Sequence, residues 1–241
     1  VGNGGPWSSW VRNGGERQDN LFLSSIVALN AKTGRMVWYY QTTPGDSWDY
    51  TATQNMILAD LRVDGRPRKV LMQAPKNGFF YVLDRTSGKL LSAEKFTTVT
   101  WARHVDLKSG KPEVSDSALY GKSPKIVWPA TAGGHHWQPM AFSPQTRLVY
   151  IPTLEMPMKF SQEPGPARYV PGTYNTETDT APPDPVADAA LMKQSPPFVM
   201  QSVLKAWDPL AGKAVWQRAP MPWWSGGVLT TAGGLVIQGA A

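Results

Sequence analysis

The 241-residue sequence has no cysteine, no long apolar run and few segments with a helical pattern. Without cysteine it offers no disulfide framework, no thiolate metal site and no cysteine nucleophile. No window approaches about 18 uninterrupted apolar residues, so we expect no transmembrane helix. Hydrophobic residues make up 41% of the chain and charged residues only 17%, which favours a folded domain with a buried core over wholesale disorder.

The motifs of several large enzyme classes are missing as well. The sequence contains no G-x-S-x-G nucleophile elbow, no phosphate-binding P-loop and no G-x-G-x-x-G after a strand. Phosphoryl transfer and nucleotide-dependent redox chemistry are therefore not expected. The net charge of +6 does not indicate a nucleic-acid partner, because lysine and arginine are scattered through turns such as residues 66–69 and are not collected on one helix or arm.

Short apolar runs bounded by glycine, proline, asparagine or aspartate predict β-strands. One hairpin pattern recurs four times: a strand, a turn opened by an Asx or serine side chain, and a returning strand. In three copies a glycine stands where the turn needs a positive φ, and in the third copy Arg147 takes its place. The four copies are residues 28–38 (ALNAKTGRMVW), 82–91 (VLDRTSGKLL), 141–150 (AFSPQTRLVY) and 205–216 (KAWDPLAGKAVW).

A hairpin that recurs every 54 to 65 residues predicts an all-β fold, namely a β-propeller with tryptophan-docking repeats and one four-stranded sheet per blade. At roughly 50 residues per blade, residues 1–241 supply about four to five blades of one partial propeller domain. Residues 156–202 are rich in proline, and we interpret them as a long loop between blades, with a lid or a docking surface as the alternative. Since the chain has no signal peptide and stops just after a strand-like run, we expect a piece of a larger protein.

Three segments carry polar residues suited to chemistry. Asp46 and Asp49 flank a tryptophan, and they read either as turn formers or as a cation ligand and general base. Lys76 is either a solvated turn charge or a cation that faces an anionic or carbonyl-bearing ligand. Zinc binding at His135 and His136 is not favoured, because adjacent histidines point apart on an extended chain. Residues 222–227 (PWWSGG) fit either blade packing or a platform for a planar cofactor.

In their order along the chain, residues 42–50 (TTPGDSWDY), 75–78 (PKNG) and 133–140 (GGHHWQPM), with the repeats that end in tryptophan, resemble the pyrroloquinoline-quinone (PQQ) alcohol dehydrogenases, in particular the quinohaemoprotein ones. The resemblance runs nearly end to end and covers only the middle and later part of the family's catalytic domain. It implies an eight-bladed propeller of the bacterial periplasm that oxidises primary alcohols by hydride transfer to PQQ. Cytochrome c or a quinone is the implied electron acceptor.

The resemblance also assigns roles to single residues. Asn3 and Asp49 match calcium ligands, and Asp49 matches the catalytic base that takes the proton of the alcohol. Lys76 matches the basic residue near the reactive quinone carbonyls, and Trp224 matches a tryptophan beside the cofactor. His136 stands where many relatives have an asparagine that contacts PQQ, which is a departure, although histidine can also donate a hydrogen bond.

The position two residues beyond Asp49 favours calcium over a lanthanide. Relatives that use lanthanides carry a second aspartate there, and this chain has Thr51. An acidic calcium ligand, an adjacent cysteine pair and the haem c domain of some relatives are all absent from this sequence, so we expect the isolated chain to be inactive. Two rival readings stay open: a non-catalytic propeller that acts as a binding or assembly scaffold, and a quinoprotein dehydrogenase for sugars or polymeric alcohols. The alcohol, the oligomeric state and membrane association are also left open.

Overall fold

The structure, a computed structural model, is built almost entirely from β-strands. It describes residues 1–3, 5–8, 16, 18–121, 123–165, 168–222 and 224–239. Within these ranges the helical segments are a 3-10 turn at Asp116–Ala118 and a short helix, α1, at Ala189–Met192. No helix in this part of the chain is long and apolar enough to cross a membrane.

Four antiparallel sheets follow one another along the chain, and two of them have the four strands of a complete blade. They agree with the predicted partial propeller, at the lower end of the expected four to five blades. In spatial order, the sheets are β1 (Ser25–Leu29) and β2 (Met36–Gln41); β3 (Ile57–Val63), β4 (Arg66–Gln73), β5 (Phe79–Asp84) and β6 (Leu90–Lys95); β10 (Ala141–Ser143), β11 (Leu148–Glu155), β14 (Gln201–Asp208) and β15 (Lys213–Met221); and β16 (Val228–Thr230) and β17 (Val236–Gln238).

The turns of the repeats have the predicted mechanics. Gly34, Gly88 and Gly212 have φ values of +68°, +75° and +62°. In the third copy Arg147 adopts the same region with φ +60°, at a cost of about 1 kcal/mol for a residue with a side chain. The Asp208 carboxylate opens its turn by accepting hydrogen bonds from backbone N–H groups two and three residues later.

Neighbouring sheets dock through tryptophan. The Trp38 indole N–H donates to the Arg85 carbonyl at 3.1 Å, and its ring covers Gly88, where an added Cβ would lie 2.7 Å from the ring. Only glycine allows this close approach. The second and third sheets share a buried core that includes Phe80, from β5, and Trp207, from β14, with ring centroids 5.8 Å apart.

The connections between strands form two further small sheets. One pairs β7 (Ala102–Val105) with β8 (Pro112–Val114), and the other has the order β13 (Thr178–Ala181), β12 (Met158–Gln162), β9 (Lys125–Val127). Residues 156–202, which the sequence analysis placed between blades, connect β11 to β14. These two strands pair with each other, so the excursion lies within one sheet. The third and fourth hairpin repeats therefore belong to the same sheet, which explains their wide spacing.

Candidate active site

The loop that follows β2 directs alternate side chains into the core and into a cleft. Trp48 and Tyr50 are fully buried and stack with ring centroids 5.5 Å apart. The Trp48 indole donates to the Ala118 carbonyl at 3.2 Å, and the Tyr50 hydroxyl donates to the Pro129 carbonyl at 2.9 Å. Because its neighbours on both sides are anchored in the core, Asp49 faces the open cleft.

The backbone of this loop adopts an unusual conformation. Asp49 has φ +65° and Thr51 has φ +49°, and each such conformation costs about 1 kcal/mol for a residue other than glycine. The buried Asp46 carboxylate accepts hydrogen bonds from the backbone N–H groups of Trp48, Tyr50 and Thr51 at 3.0, 3.2 and 3.1 Å. The two aspartates of the motif therefore differ in placement: Asp46 organises the loop and Asp49 lines the cleft.

Lys76 reaches Asp49 from the turn between β4 and β5. Its Nζ donates to the Asp49 carboxylate at 3.0 Å and to the Asp49 carbonyl at 3.1 Å, across 27 residues of sequence. Lys76 is 7% exposed, so it is not a solvated turn charge. Gly133 packs against it so closely that an added Cβ would lie 2.6 Å from the Lys76 Cα. The absence of a side chain at Gly133 is what makes room for Lys76.

The cleft changes the acid–base properties of two side chains. Burial raises the pKa of Asp49 above its ordinary value, and the adjacent Lys76 charge only partly opposes this effect. Burial, together with the positive charge of Lys76, lowers the pKa of His136 to about 4. At neutral pH His136 is therefore uncharged, while Asp49 is a stronger base than an exposed aspartate.

The two adjacent histidines point in different directions, as the sequence predicts. His135 is fully buried, and its ring nitrogens contact the carbonyl oxygens of Ala74 and Gln138 at 2.6 and 2.7 Å. His136 lines the cleft and packs edge-on against Trp224, with ring centroids 5.4 Å apart. The His136 Nδ1 atom is buried and has no hydrogen-bond partner among the described residues, so it is available to a ligand.

Asn3 lies in the same cleft as Asp49, Lys76 and His136. Its amide nitrogen donates to the Asp46 carbonyl at 3.1 Å, and its amide oxygen accepts from the Trp7 indole at 3.0 Å. The cleft has a volume of about 280 Å³. Four of the five residues singled out from the sequence therefore share one cleft, and the fifth, Trp224, adjoins it through His136.

Sequence reasoning missed three residues that line the cleft. Thr53 and Gln54 follow the Asp49 loop directly, and their position next to Asp49 in the chain was the one available signal. Trp137, 72% exposed, stands at the rim beside His136. Trp223, part of the predicted aromatic platform, lies outside the described residues. No group of three or more histidine, cysteine, aspartate or glutamate side chains comes together in the described ranges, so a cation here would need further ligands.

Residues 8–100 match the family model described as glucose/ethanol/alcohol dehydrogenase, beta-propeller domain. The chain is 51% identical over its whole length to the quinohemoprotein alcohol dehydrogenase ADH IIB of Pseudomonas putida, of which it covers 33%. The resemblance to the PQQ alcohol dehydrogenases is confirmed. The chain spans about a third of the length of the curated relatives that it matches.

Further relatives of the quinoprotein type support the same conclusion. A 1-butanol dehydrogenase (cytochrome c) of Thauera butanivorans is 41% identical over 98% of this chain, which covers 33% of that protein. The solved structure of the quinohemoprotein alcohol dehydrogenase ADHIIG from Pseudomonas putida superposes with a TM-score of 0.88 at 46% identity, and it matches all of this chain and 35% of its own. The fold is therefore that of a partial PQQ-type β-propeller.

Proposed function

We propose that this chain is a segment of a quinoprotein alcohol dehydrogenase and supplies the general base and part of the PQQ and calcium sites. The observation that carries the proposal is the cleft itself, which brings Asn3, Asp49, Lys76 and His136 together from distant parts of the sequence. A non-catalytic scaffold has no need for a buried lysine–aspartate pair that opens onto a cleft beside an unpartnered histidine nitrogen.

The side chains present fit the implied cofactor and ion. Asn3 and Asp49 offer an amide oxygen and a carboxylate, which are the oxygen ligands that calcium prefers. Lys76 offers a fixed positive charge toward quinone carbonyls, and the free His136 Nδ1 atom offers a hydrogen bond. When bound, PQQ accepts the hydride from the alcohol, and calcium acts as a Lewis acid toward the cofactor.

Asp49 is the residue that moves the proton. Its carboxylate accepts the hydroxyl proton of a primary alcohol, and its raised pKa makes it better matched to that task than a solvated aspartate. Lys76 holds both the carboxylate and the carbonyl of Asp49, so it fixes the orientation of the base. His136 stays neutral near pH 7, and the edge-on contact with Trp224 fixes the plane of its ring.

The remaining properties of the longer protein follow from the resemblance. We expect periplasmic localisation, calcium as the bound ion and cytochrome c or a quinone as electron acceptor. Haem c would belong to a part of the protein outside residues 1–241. A substrate that is a sugar or a polymeric alcohol is the alternative to a primary alcohol, and comparison of ethanol with glucose as substrates distinguishes them.

The test uses the full-length protein that carries this segment, purified without cofactor. We expect dye-linked oxidation of ethanol to require both PQQ and Ca²⁺. Asp49→Asn should lower kcat by about 1,000-fold, within the range for loss of a general base. Asp64→Asn is the matched control, because Asp64 also has a positive φ but lies exposed in the turn between β3 and β4. Unchanged turnover in Asp49→Asn would remove Asp49 as the base, and absence of PQQ binding would overturn the proposal as a whole.

A further inference from the structure

Asp46 is a fully buried carboxylate with an unusually complete set of hydrogen bonds. Its Oδ1 atom accepts from the N–H groups of Trp48 and Tyr50, and its Oδ2 atom accepts from the N–H of Thr51 and, at 2.5 Å, from the hydroxyl of Ser24. In the described part of the chain, no lysine or arginine forms an ion pair with it. Four hydrogen bonds thus compensate a charge that is removed from water.

These bonds act on the peptide groups that border the catalytic base. The N–H groups of Tyr50 and Thr51 belong to the peptides that follow Asp49 and Tyr50. Holding both fixes the left-handed conformations at Asp49 and Thr51, which the chain would otherwise leave. In this conformation the Asp49 carboxylate and carbonyl both reach Lys76.

The same residue also holds the amide that is proposed to bind calcium. The Asp46 carbonyl oxygen accepts the hydrogen bond from the Asn3 side chain at 3.1 Å. Asn3 and Asp49 are 46 residues apart in the sequence, and Asp46 contacts the first directly and the backbone around the second. The Ser24 hydroxyl ties this arrangement to the start of β1.

Ordinary turn aspartates in this chain do much less. Asp106 and Asp208 accept hydrogen bonds only from N–H groups two and three residues later. Asp46 extends to residues four and five positions later and to Ser24, 22 positions earlier. A turn needs only the local contacts, so the longer-range bonds point to a function beyond the turn.

We infer that Asp46 is a positioning residue that sets the relative placement of Asn3 and Asp49, and thereby the calcium ligands and the base. The inference rests on the proposed function for its catalytic consequence. Its geometric part, the dependence of the Asp49 conformation on the Asp46 carboxylate, is independent of any cofactor.

The test compares three variants of the full-length protein: Asp46→Asn, Ser24→Ala and the control Asp208→Asn. Asparagine at position 46 replaces one acceptor oxygen by a donor that opposes the backbone N–H groups. We expect kcat for ethanol to fall about 100-fold while KM changes less than about threefold, because misplacement of reacting groups affects mainly the chemical step. We expect the Kd for PQQ in the presence of Ca²⁺, measured by tryptophan fluorescence, to rise about tenfold.

Ser24→Ala removes one of the four donors and should change kcat and Kd in the same direction by a smaller factor. Asp208→Asn should leave both at the wild-type value. Crystal structures of the variants supply a readout that needs no activity: in Asp46→Asn the Lys76–Asp49 contact should lengthen beyond hydrogen-bond distance from its present 3.0 Å.

The outcomes separate the two proposals. If wild-type protein does not bind PQQ, the proposed function fails, and the crystal structures still decide whether Asp46 holds Asp49. If Asp46→Asn keeps the wild-type kcat, PQQ affinity and Asp49 position, the positioning role is overturned. If Asp46→Asn does not fold, Ser24→Ala decides: a shifted Asp49 with lowered kcat supports the role, and an unmoved Asp49 with wild-type kcat refutes it.

Discussion

Two buried lysine–carboxylate pairs occur in this molecule, and they have opposite electrostatic character. Lys76 contacts Asp49 at 3.0 Å in the cleft, and Lys205 contacts Glu155 at 2.7 Å where β11 and β14 pair within the third sheet. Folding raises the pKa of Asp49 and lowers the pKa of Glu155. A lysine partner alone therefore does not decide whether a buried carboxylate is held firmly in its charged form.

The difference lies in the other hydrogen bonds. Burial would raise the pKa of Glu155, but the Lys205 charge and bonds from Lys205, the Thr97 hydroxyl and the Thr98 N–H outweigh it. Lys205 also donates to the Phe96 carbonyl at 2.8 Å, so the pair joins the third sheet to the segment after β6. This pair is fully satisfied and fastens neighbouring sheets together.

Asp49 lacks such support. Burial raises its pKa, Lys76 opposes this only in part, and the nearby charge of Asp46 raises the pKa further. A carboxylate whose charged form is held less firmly can take a proton readily, which suits a base. The contrast shows that donors beyond the lysine determine whether such a pair fastens sheets or carries chemistry.

Removal of each lysine should produce the largest difference between the two pairs. We expect Lys205→Met to lower the free energy of unfolding by about 3 kcal/mol, because it leaves Glu155 charged and buried without a counterion. Lys76→Met should cost less than half as much, since Asp49 can take up a proton. Urea unfolding of the cofactor-free protein measures both, and Lys213→Met on the exposed face of β15 is the control. Equal losses for Lys76→Met and Lys205→Met would contradict the contrast.

A glycine beside each pair offers a second comparison. An added Cβ at Gly133 would lie 2.4 Å from the Lys76 Cβ and 2.6 Å from its Cα, whereas at Gly212 it would lie 2.6 Å from the flexible Glu94 side chain. Both glycines have positive φ. We expect Gly133→Ala to cost about 2 kcal/mol, and Gly212→Ala only the conformational cost of about 1 kcal/mol. Thermal unfolding checks the order, and a larger loss for Gly212→Ala would show that Lys76 is not tightly enclosed.

The pH dependence of stability should give the smallest effect, with opposite signs for the two carboxylates. The folded pKa of Glu155 is lowered, so its contribution is complete above the unfolded value of 4.5 and is lost as the pH falls through the folded pKa. The folded pKa of Asp49 is raised, so its contribution to stability is present below the unfolded value of 3.8 and is lost as the pH rises through the folded pKa.

Comparison of wild type with Glu155→Gln and Asp49→Asn isolates these terms in cofactor-free protein. As the pH falls below about 4.5, we expect the stability advantage of wild type over Glu155→Gln to shrink. Relative to Asp49→Asn, wild type should gain stability as the pH falls. Urea unfolding at several acidic pH values measures both differences, and parallel trends for the two variants would show that the two sites are electrostatically alike.

The sequence was sufficient to predict the repeats and the residues of the cleft. The hairpin turns are local, because an Asx side chain and a glycine at fixed spacing specify them, and even the turn at Arg147 keeps the pattern. Asp49 and Lys76 were selected from their motifs and the family resemblance. The sequence left open which of Asp46 and Asp49 faces the cleft, because both fit a turn and both fit a site.

What the sequence by itself determined is therefore the type of sheet and turn and the identity of most cleft residues, since these depend on side chains that are close together along the chain. Only the tertiary structure decided that residues 156–200 are inserted between paired strands, that Gly133 encloses Lys76 and that Lys205 meets Glu155. These contacts join residues about 45 to 60 positions apart, and their partners are set by the register and docking of sheets, which an alternating apolar pattern does not encode.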